Sequence, residues 1–322
     1  QSTELTPIVR DLVEREVLVS PSRVDVSARS LPYAFASELA RAAAYEQLTD
    51  EDRMLAHCLA AEWLESAAGP RYASVVADHF DRAGEARRAA IWYARAAEIA
   101  LGQGDFKEAV ERGDRGSVAG ATGALLGRTR LLQSEALRHL GDNAAMLERA
   151  QEAMALLPQW TPGWWMAAAN AVLGATRTGR RDVVDGLATE LTSGSPTPSP
   201  ALARVALYLL HVGKTEEAER ALAAVRRALA DPSEPPLRWG WGHRANAYQS
   251  MFNGDIAGYL DNAGLAVRAF EAGADTRELA LELVGLGYAR HELGLYAEAE
   301  ESLSAGRRLA ENLGLRHTLA SA

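Results

Sequence analysis

Leu209-Leu210-His211-Val212-Gly213-Lys214-Thr215-Glu216-Glu217-Ala218 joins the end of one apolar segment to the start of another through a single glycine. Glycine just past the last periodic residue ends a helix, because it alone adopts the left-handed conformation without steric cost. The carboxylates of Glu216 and Glu217 then stand in the first turn of the next helix, where they meet its positive end. Glu292-Leu293-Gly294-Leu295-Tyr296-Ala297-Glu298-Ala299 repeats the arrangement. Between and before these two stretches, Gly84, Gly104, Gly141, Gly179 and Gly254 occupy the same kind of place, so that the seven glycines follow one another at intervals of 20, 37, 38, 34, 41 and 40 residues.

The flanking positions share a phase. Seven residues before the glycines stand Ala77, Ala97, Ser134, Val172, Ala206, Ala247 and Gly287, nearly all small. Five after them stand Ala89, Ala109, Ala218 and Ala299 in four of seven cases, and twelve after them Ala96, Gly116, Ala153, Ala266 and Gly306 among others. Pro158 lies seventeen after Gly141 and Pro196 seventeen after Gly179, each placed to stop a second helix. Small residues at fixed offsets from a helix-breaking turn are what two closely approaching helices require. The pattern resembles the tetratricopeptide repeat, a helix–turn–helix unit of 34 residues. The fold expected is all-α: a tetratricopeptide-type right-handed superhelical solenoid of about seven helical hairpins over residues 70–322, each burying its apolar stripe against its neighbours. The short first interval implies that the helix Glu85 to Leu101 serves two pairs. Surface loops are expected at Thr192 to Pro200 and at Asp231 to Pro236, where prolines remove backbone donors.

Composition agrees with helix. Of 322 residues 63 are alanine, 12 are proline and only 7% are aromatic, which favours helix over sheet. The net charge of −9 argues against bulk attraction to nucleic acid or an anionic membrane. Cys58 is the single cysteine, so neither an intrachain disulfide nor a multi-cysteine metal site is expected, and a reducing, cytoplasmic setting fits. No apolar run approaches 18 residues, and the first residues have no signal-peptide pattern.

Residues 1–68 read differently. Ile8 to Glu16 is the end of a helix, Val17 to Val19 a short strand, Pro21 to Pro32 a turn region and Tyr33 to Phe35 a return strand, the one β-hairpin expected in the chain. Two helices follow, Ala36 to Leu48 and Asp50 to Ala68, the second capped by Thr49 or Asp50. The run Tyr33-Ala34-Phe35-Ala36-Ser37-Glu38-Leu39 through Ala44-Tyr45-Glu46-Gln47-Leu48, then Arg53, His57 and Ala61-Glu62-Trp63-Leu64-Glu65, resembles the winged-helix end of bacterial STAND-type signalling ATPases. Asp78-His79-Phe80-Asp81-Arg82-Ala83-Gly84-Glu85 is similar to the first repeat that follows it there, above all in large Ser/Thr kinases that carry kinase, ATPase, winged helix and repeats on one chain. The resemblance implies a piece of a longer regulatory enzyme whose ATPase and kinase motifs lie upstream of Gln1. Where that family has histidine two places after the strand phenylalanine, this chain has Ser37.

Catalytic constellations are not legible. Gly213-Lys214-Thr215 looks like the end of a phosphate-binding loop, but Tyr208 stands where its first glycine is needed. His291-Glu292 opens like a zinc-protease helix, but Leu295 replaces the second histidine. The helix Ala36 to Leu48 carries Arg41 against Glu38 and Glu46, the wrong balance for reading DNA. His139, His211 and His291 lie just before turn glycines, where an imidazole complements helix-terminal carbonyls. No cofactor is expected.

Function should therefore reside in binding. In tetratricopeptide arrays the first helix of each pair lines a concave groove, and that resemblance places Arg177, Leu207, His211, Trp241, Arg244, Tyr248, Phe252 and Tyr288 in it, beside Met166, Leu173, Leu210, Met251 and His291. Trp241, Arg244, Tyr248 and Phe252 form one stripe of one helix. Aromatics with interspersed cations suit a protein or peptide ligand with apolar side chains and acidic groups. Two alternatives stay open: a small-molecule inducer stacked on Trp160, Trp164 and Trp165, and an intramolecular clamp on the upstream catalytic part.

Overall fold

The structure is a computed structural model that describes residues 2–19, 33–67, 69–193, 198–231, 239–315 and 318–319. Its elements begin with α1 (Ser2–Glu14), β1 (Leu18–Val19), β2 (Ala34–Phe35), α2 (Glu38–Glu46) and α3 (Asp50–Ala67). A single helical turn at Pro70–Tyr72 leads into α4 (Ala73–Arg82), α5 (Ala86–Gln103), α6 (Phe106–Val118), α7 (Gly123–Leu140) and α8 (Asn143–Leu156). Then come α9 (Pro162–Thr178), α10 (Arg181–Ser193), α11 (Pro200–His211), α12 (Thr215–Leu229), α13 (Gly240–Phe252), α14 (Ile256–Ala272), α15 (Thr276–Glu292) and α16 (Tyr296–Leu313). The repeat fold is all-α and of the tetratricopeptide type. The expected turn region Pro21 to Pro32 lies outside the described residues, as do 194–197, with Pro196, and 232–238 of the two expected loops.

All seven turn glycines have φ between 73° and 81°. At Gly213 an added Cβ would meet nothing within 4 Å, so backbone strain alone opposes alanine there. Gly213→Ala is expected to lower the unfolding free energy by about 1 kcal/mol, read as a shift of the urea midpoint at constant slope. The small residues away from the turns have the other expected role. A Cβ at Gly287 of α15 would lie 2.6 Å from Leu303 of α16, and one at Gly306 would lie 3.0 Å from the Ala280 carbonyl. Ala89, Ala97, Ala109, Ala206, Ala218 and Ala247 are fully buried at the same phases. As the short first interval implied, α5 packs on both α4 and α6.

The chain forms two compact units, 1–132 and 133–322, which divide inside α7 rather than at the change of sequence character near 68. In the first, β1 and β2 pair antiparallel with Leu18 opposite Phe35, the hairpin read from the sequence. Ser37 caps α2 by accepting from the Ala40 amide, and Thr49 caps α3 by accepting from the Asp52 amide. Tyr45 of α2 hydrogen-bonds His57 of α3 at 2.9 Å, whose other ring nitrogen lies 2.8 Å from His79 Nδ1 of α4, so a polar chain ties three helices together. Ala61, Ala73, Val76, Ala77, Phe80, Ala89, Trp92, Tyr93 and Ala96 form the apolar core of this unit.

In the second unit the core runs from Leu147 and Ala150 on α8 to Ala245 on α13, with a smaller cluster around Ala247, Tyr259, Ala263, Leu286 and Ala289. Side chains one repeat apart meet repeatedly, with hydrogen-bonded partners 34 residues distant at Asp78–Arg112, Asp81–Arg115, Asn143–Arg177, Asn170–Arg204 and Arg244–Glu278. The period inferred from glycines is thus also the period of the polar contacts.

Candidate functional site

The first helices of five successive hairpins, α7, α9, α11, α13 and α15, meet around one polar cluster. Glu135 of α7 accepts from Asn170 Nδ2 of α9 at 2.8 Å and from Arg204 Nη1 of α11 at 3.0 Å. Arg204 also donates to Asn170 Oδ1 at 3.0 Å and contacts the Met166 sulfur. On α13, Arg244 donates to the Glu278 carboxylate at 2.6 Å, to the Glu278 carbonyl at 2.8 Å, and to Glu282, both glutamates being on α15. Arg138 of α7 closes the circuit by donating to Glu278 at 3.2 Å, across 140 residues of sequence. Trp241 stacks beneath two of the cations, with the Arg204 and Arg244 guanidinium carbons 4.8 and 4.5 Å from its ring centre. First and last hairpins of this unit therefore touch, whereas an ideal repeat array makes contacts only between neighbours.

Three arginines and three glutamates balance the cluster, but its carboxylates differ. Burial works against the charge on Glu278, yet Arg244 and Arg138 outweigh it and hold the carboxyl at about 2. Glu135 is likewise held at about 2 by Arg204 and Arg138 against burial. At Glu282 burial prevails and raises the pKa, because only Arg244 faces it and Glu278 lies beside it. His139 accepts from Arg138 at 3.0 Å through Nε2, so that nitrogen carries no proton. Burial, and then the adjacent guanidinium, push this histidine down to about 4, which removes it as a charge on the helix terminus.

A second feature lies toward the turn ends of α11, α13 and α15. His211 is 5.0 Å from Tyr248 and 5.7 Å from Phe252, Tyr248 is 5.9 Å from Tyr259, and Tyr259 is 6.2 Å from Tyr288, centre to centre. These separations are those of mutually supporting aromatic pairs. Phe252 and Tyr288 remain 50% and 47% exposed, and His211 is exposed as well. His211 is oriented by its Nδ1–H, which donates to the Leu207 carbonyl at 2.8 Å, one turn back in its own helix.

The eight residues proposed from sequence thus separate. His211, Tyr248, Phe252 and Tyr288 come together on this ladder. Leu207 and Arg244 are buried and unavailable to a ligand: Leu207 packs in the apolar core, and Arg244 spends its donors on Glu278 and Glu282. Trp241 is half-buried and its face is occupied by arginines of the chain itself. Arg177 stands apart, exposed, 3.3 Å from Asn143 Oδ1. The stripe on α13 therefore runs from interior to surface as it nears the turn. Trp164 and Trp165 are also buried, and with Trp160 they stack on one another within 5.3 Å, so the indoles suggested for a small molecule serve the core. Sequence reading missed Glu135, Arg138, Asn170, Arg204, Glu278 and Glu282. A signal existed in part, since Asn170, Arg204 and Arg244 lie nine or ten residues before turn glycines, where apolar residues would be the ordinary occupants.

No protein-family model and no curated protein matches the chain. Similar solved structures include a Rap protein complexed with competence and sporulation factor, at 11% identity over 85% of this chain and 79% of that one, with a TM-score of 0.49. They include the APC/C hetero-tetramer Cut9-Hcn1, at 12% identity over 88% of this chain and 58% of that one, also at 0.49. BtubC from P. vanneervenii is similar at 15% identity over 83% of this chain and 93% of that one, with a TM-score of 0.35. Among the described residues no helix is long and apolar enough to cross a membrane.

Proposed function

We propose that this chain is a non-catalytic sensor and scaffold region that binds a protein or peptide partner on the aromatic ladder. The observation that carries the reading is the continuity of His211, Tyr248, Phe252, Tyr259 and Tyr288 over neighbouring helices, with two large rings half open to solvent. Exposed aromatics supported from beneath by further aromatics offer apolar contact area at small entropic cost, the property of interface hot spots. The centre of the same unit is filled by the Arg–Glu cluster, so the partner engages the turn end of the first helices and leaves the middle of the array untouched. The likeness of the stretches Tyr33 to Glu65 and Asp78 to Glu85 to signalling ATPases and Ser/Thr kinases supports a regulatory role toward such an upstream catalytic part, with the ladder receiving the signal or holding that part inactive.

A photo-crosslinking residue placed at position 252 in the native cell tests this directly. It is expected to give a discrete adduct, which Tyr288→Ala reduces at least fivefold, while the same residue at the exposed position 181 of α10 gives none. Equal yields at 252 and 181, or indifference to Tyr288→Ala, would refute the assignment. Arg244→Glu is unsuitable for this purpose, because it would place a third acid against two buried glutamates and unfold the unit.

A further inference from the structure

Helix α3 in the first unit has two apolar faces, and only one of them is covered. Ala61 and Leu64 turn inward onto Ala73, Val76 and Phe80, and His57 is buried on the same side against His79. On the opposite side Leu55, Leu59 and Trp63, spaced i, i+4 and i+8, form a continuous stripe that is 60%, 56% and 41% exposed. A helix apolar on two sides is ordinarily buried on both. The neighbouring α2 has no buried residue at all, and its Leu39 is 80% exposed. Leu55, Leu59 and Trp63 thus leave a stripe of open apolar surface on α3, of the kind that marks an interaction site.

The charges around the stripe specify what covers it. From Glu38 to Ser66 the chain carries seven carboxylates against Arg41 and Arg53, and Arg88 of α5 pairs with two of the seven, Glu62 and Glu65. Both arginines are committed locally, Arg41 to Glu38 and Arg53 to Asp50 and to the Tyr45 and Glu46 carbonyls. On helical geometry Glu51 and Asp52 flank the stripe one turn before Leu55, while Glu62, between Leu59 and Trp63, is paired with Arg88, which gives an apolar strip whose rim is acidic at its Leu55 end. We infer that this face of α3 docks an amphipathic helix of a partner protein that has leucine-type side chains at i, i+3, i+4 and i+7 and lysine or arginine beside them. An apolar stripe selects the helix-in-groove mode, and the acidic rim selects basic over acidic helices and steers their approach.

The test uses the purified chain and two synthetic 18-residue helical peptides with the same leucine stripe, one rimmed with lysine and the other with glutamate. Calorimetric titration is expected to show the lysine-rimmed peptide binding at least tenfold more tightly. Leu55→Ser with Leu59→Ser keeps every charge, changes only exposed side chains, and is expected to weaken that binding at least tenfold with an unchanged melting curve. Glu51→Lys should weaken it severalfold without touching the apolar stripe. Equal affinity for the two peptides overturns the inference, as does lysine-peptide binding that survives the double serine substitution, which would be charge attraction alone. A wild-type chain that sediments as a dimer and becomes a monomer on the double serine substitution also overturns it, because a second copy would then be the occupant.

Discussion

Arg244→Ala is expected to cost the second unit about 3–5 kcal/mol of unfolding free energy, the usual penalty for removing one partner of a buried ion pair. The loss arises less from attraction forgone than from what remains, since Glu278 and Glu282 are both buried and would face each other without their shared cation. Urea unfolding followed by circular dichroism measures it. Arg244→Met combined with Glu282→Leu removes cation and second acid together, leaves Glu278 paired with Arg138, and is expected to cost clearly less than the single substitution. A single-variant cost below about 1 kcal/mol would show that the cluster does not hold α13 against α15.

The contrast between Arg244 and Phe252 shows what could be read from the sequence. Both lie on the same stripe of α13, and helical periodicity places them together whatever surrounds them. Their fates differ because α15 lies over the beginning of that stripe and leaves its end open, which depends on how successive hairpins are rotated. Local features were legible for a related reason. A turn glycine, a small residue at a close approach and a helix cap each answer to forces within a few residues, so Gly213 and Gly287 could be assigned before any coordinates and the cap of α3 narrowed to Thr49 or Asp50. Arg138 and Glu278 answer to a contact 140 residues apart. Nothing near either residue announces the other, and only the cumulative curvature over the three intervening hairpins brings them into reach. The ladder was half legible because aromatic residues near turn ends stand out, whereas Tyr259 comes from a second helix that the groove rule does not consider.

Acid should loosen the same unit in two stages. Unfolded, His139 takes up a proton near pH 6.5; folded, it resists until about 4 because of burial and the Arg138 guanidinium. Stability is therefore complete above about pH 6.5 and falls as the pH drops toward 4, by about 3 kcal/mol in all at 1.4 kcal/mol for each pH unit. Below about pH 4.5 the unfolded chain also protonates Glu135 and Glu278, whose folded carboxyls hold out to about 2, so a second loss follows over that range. Glu282 works in the opposite sense, since its raised folded pKa lets the folded state take its proton first, above about pH 4.5, and so offsets part of the first stage. His139→Gln keeps an acceptor for Arg138 and has nothing to titrate. It should abolish the loss between pH 6.5 and 4.5 in urea midpoints and leave the steeper loss below 4.5 in place. If instead the loss between pH 6.5 and 4.5 survives in that variant, the histidine is not the group that senses acid, and the ionic circuit joining α7 to α15 is protected from pH by some other contact.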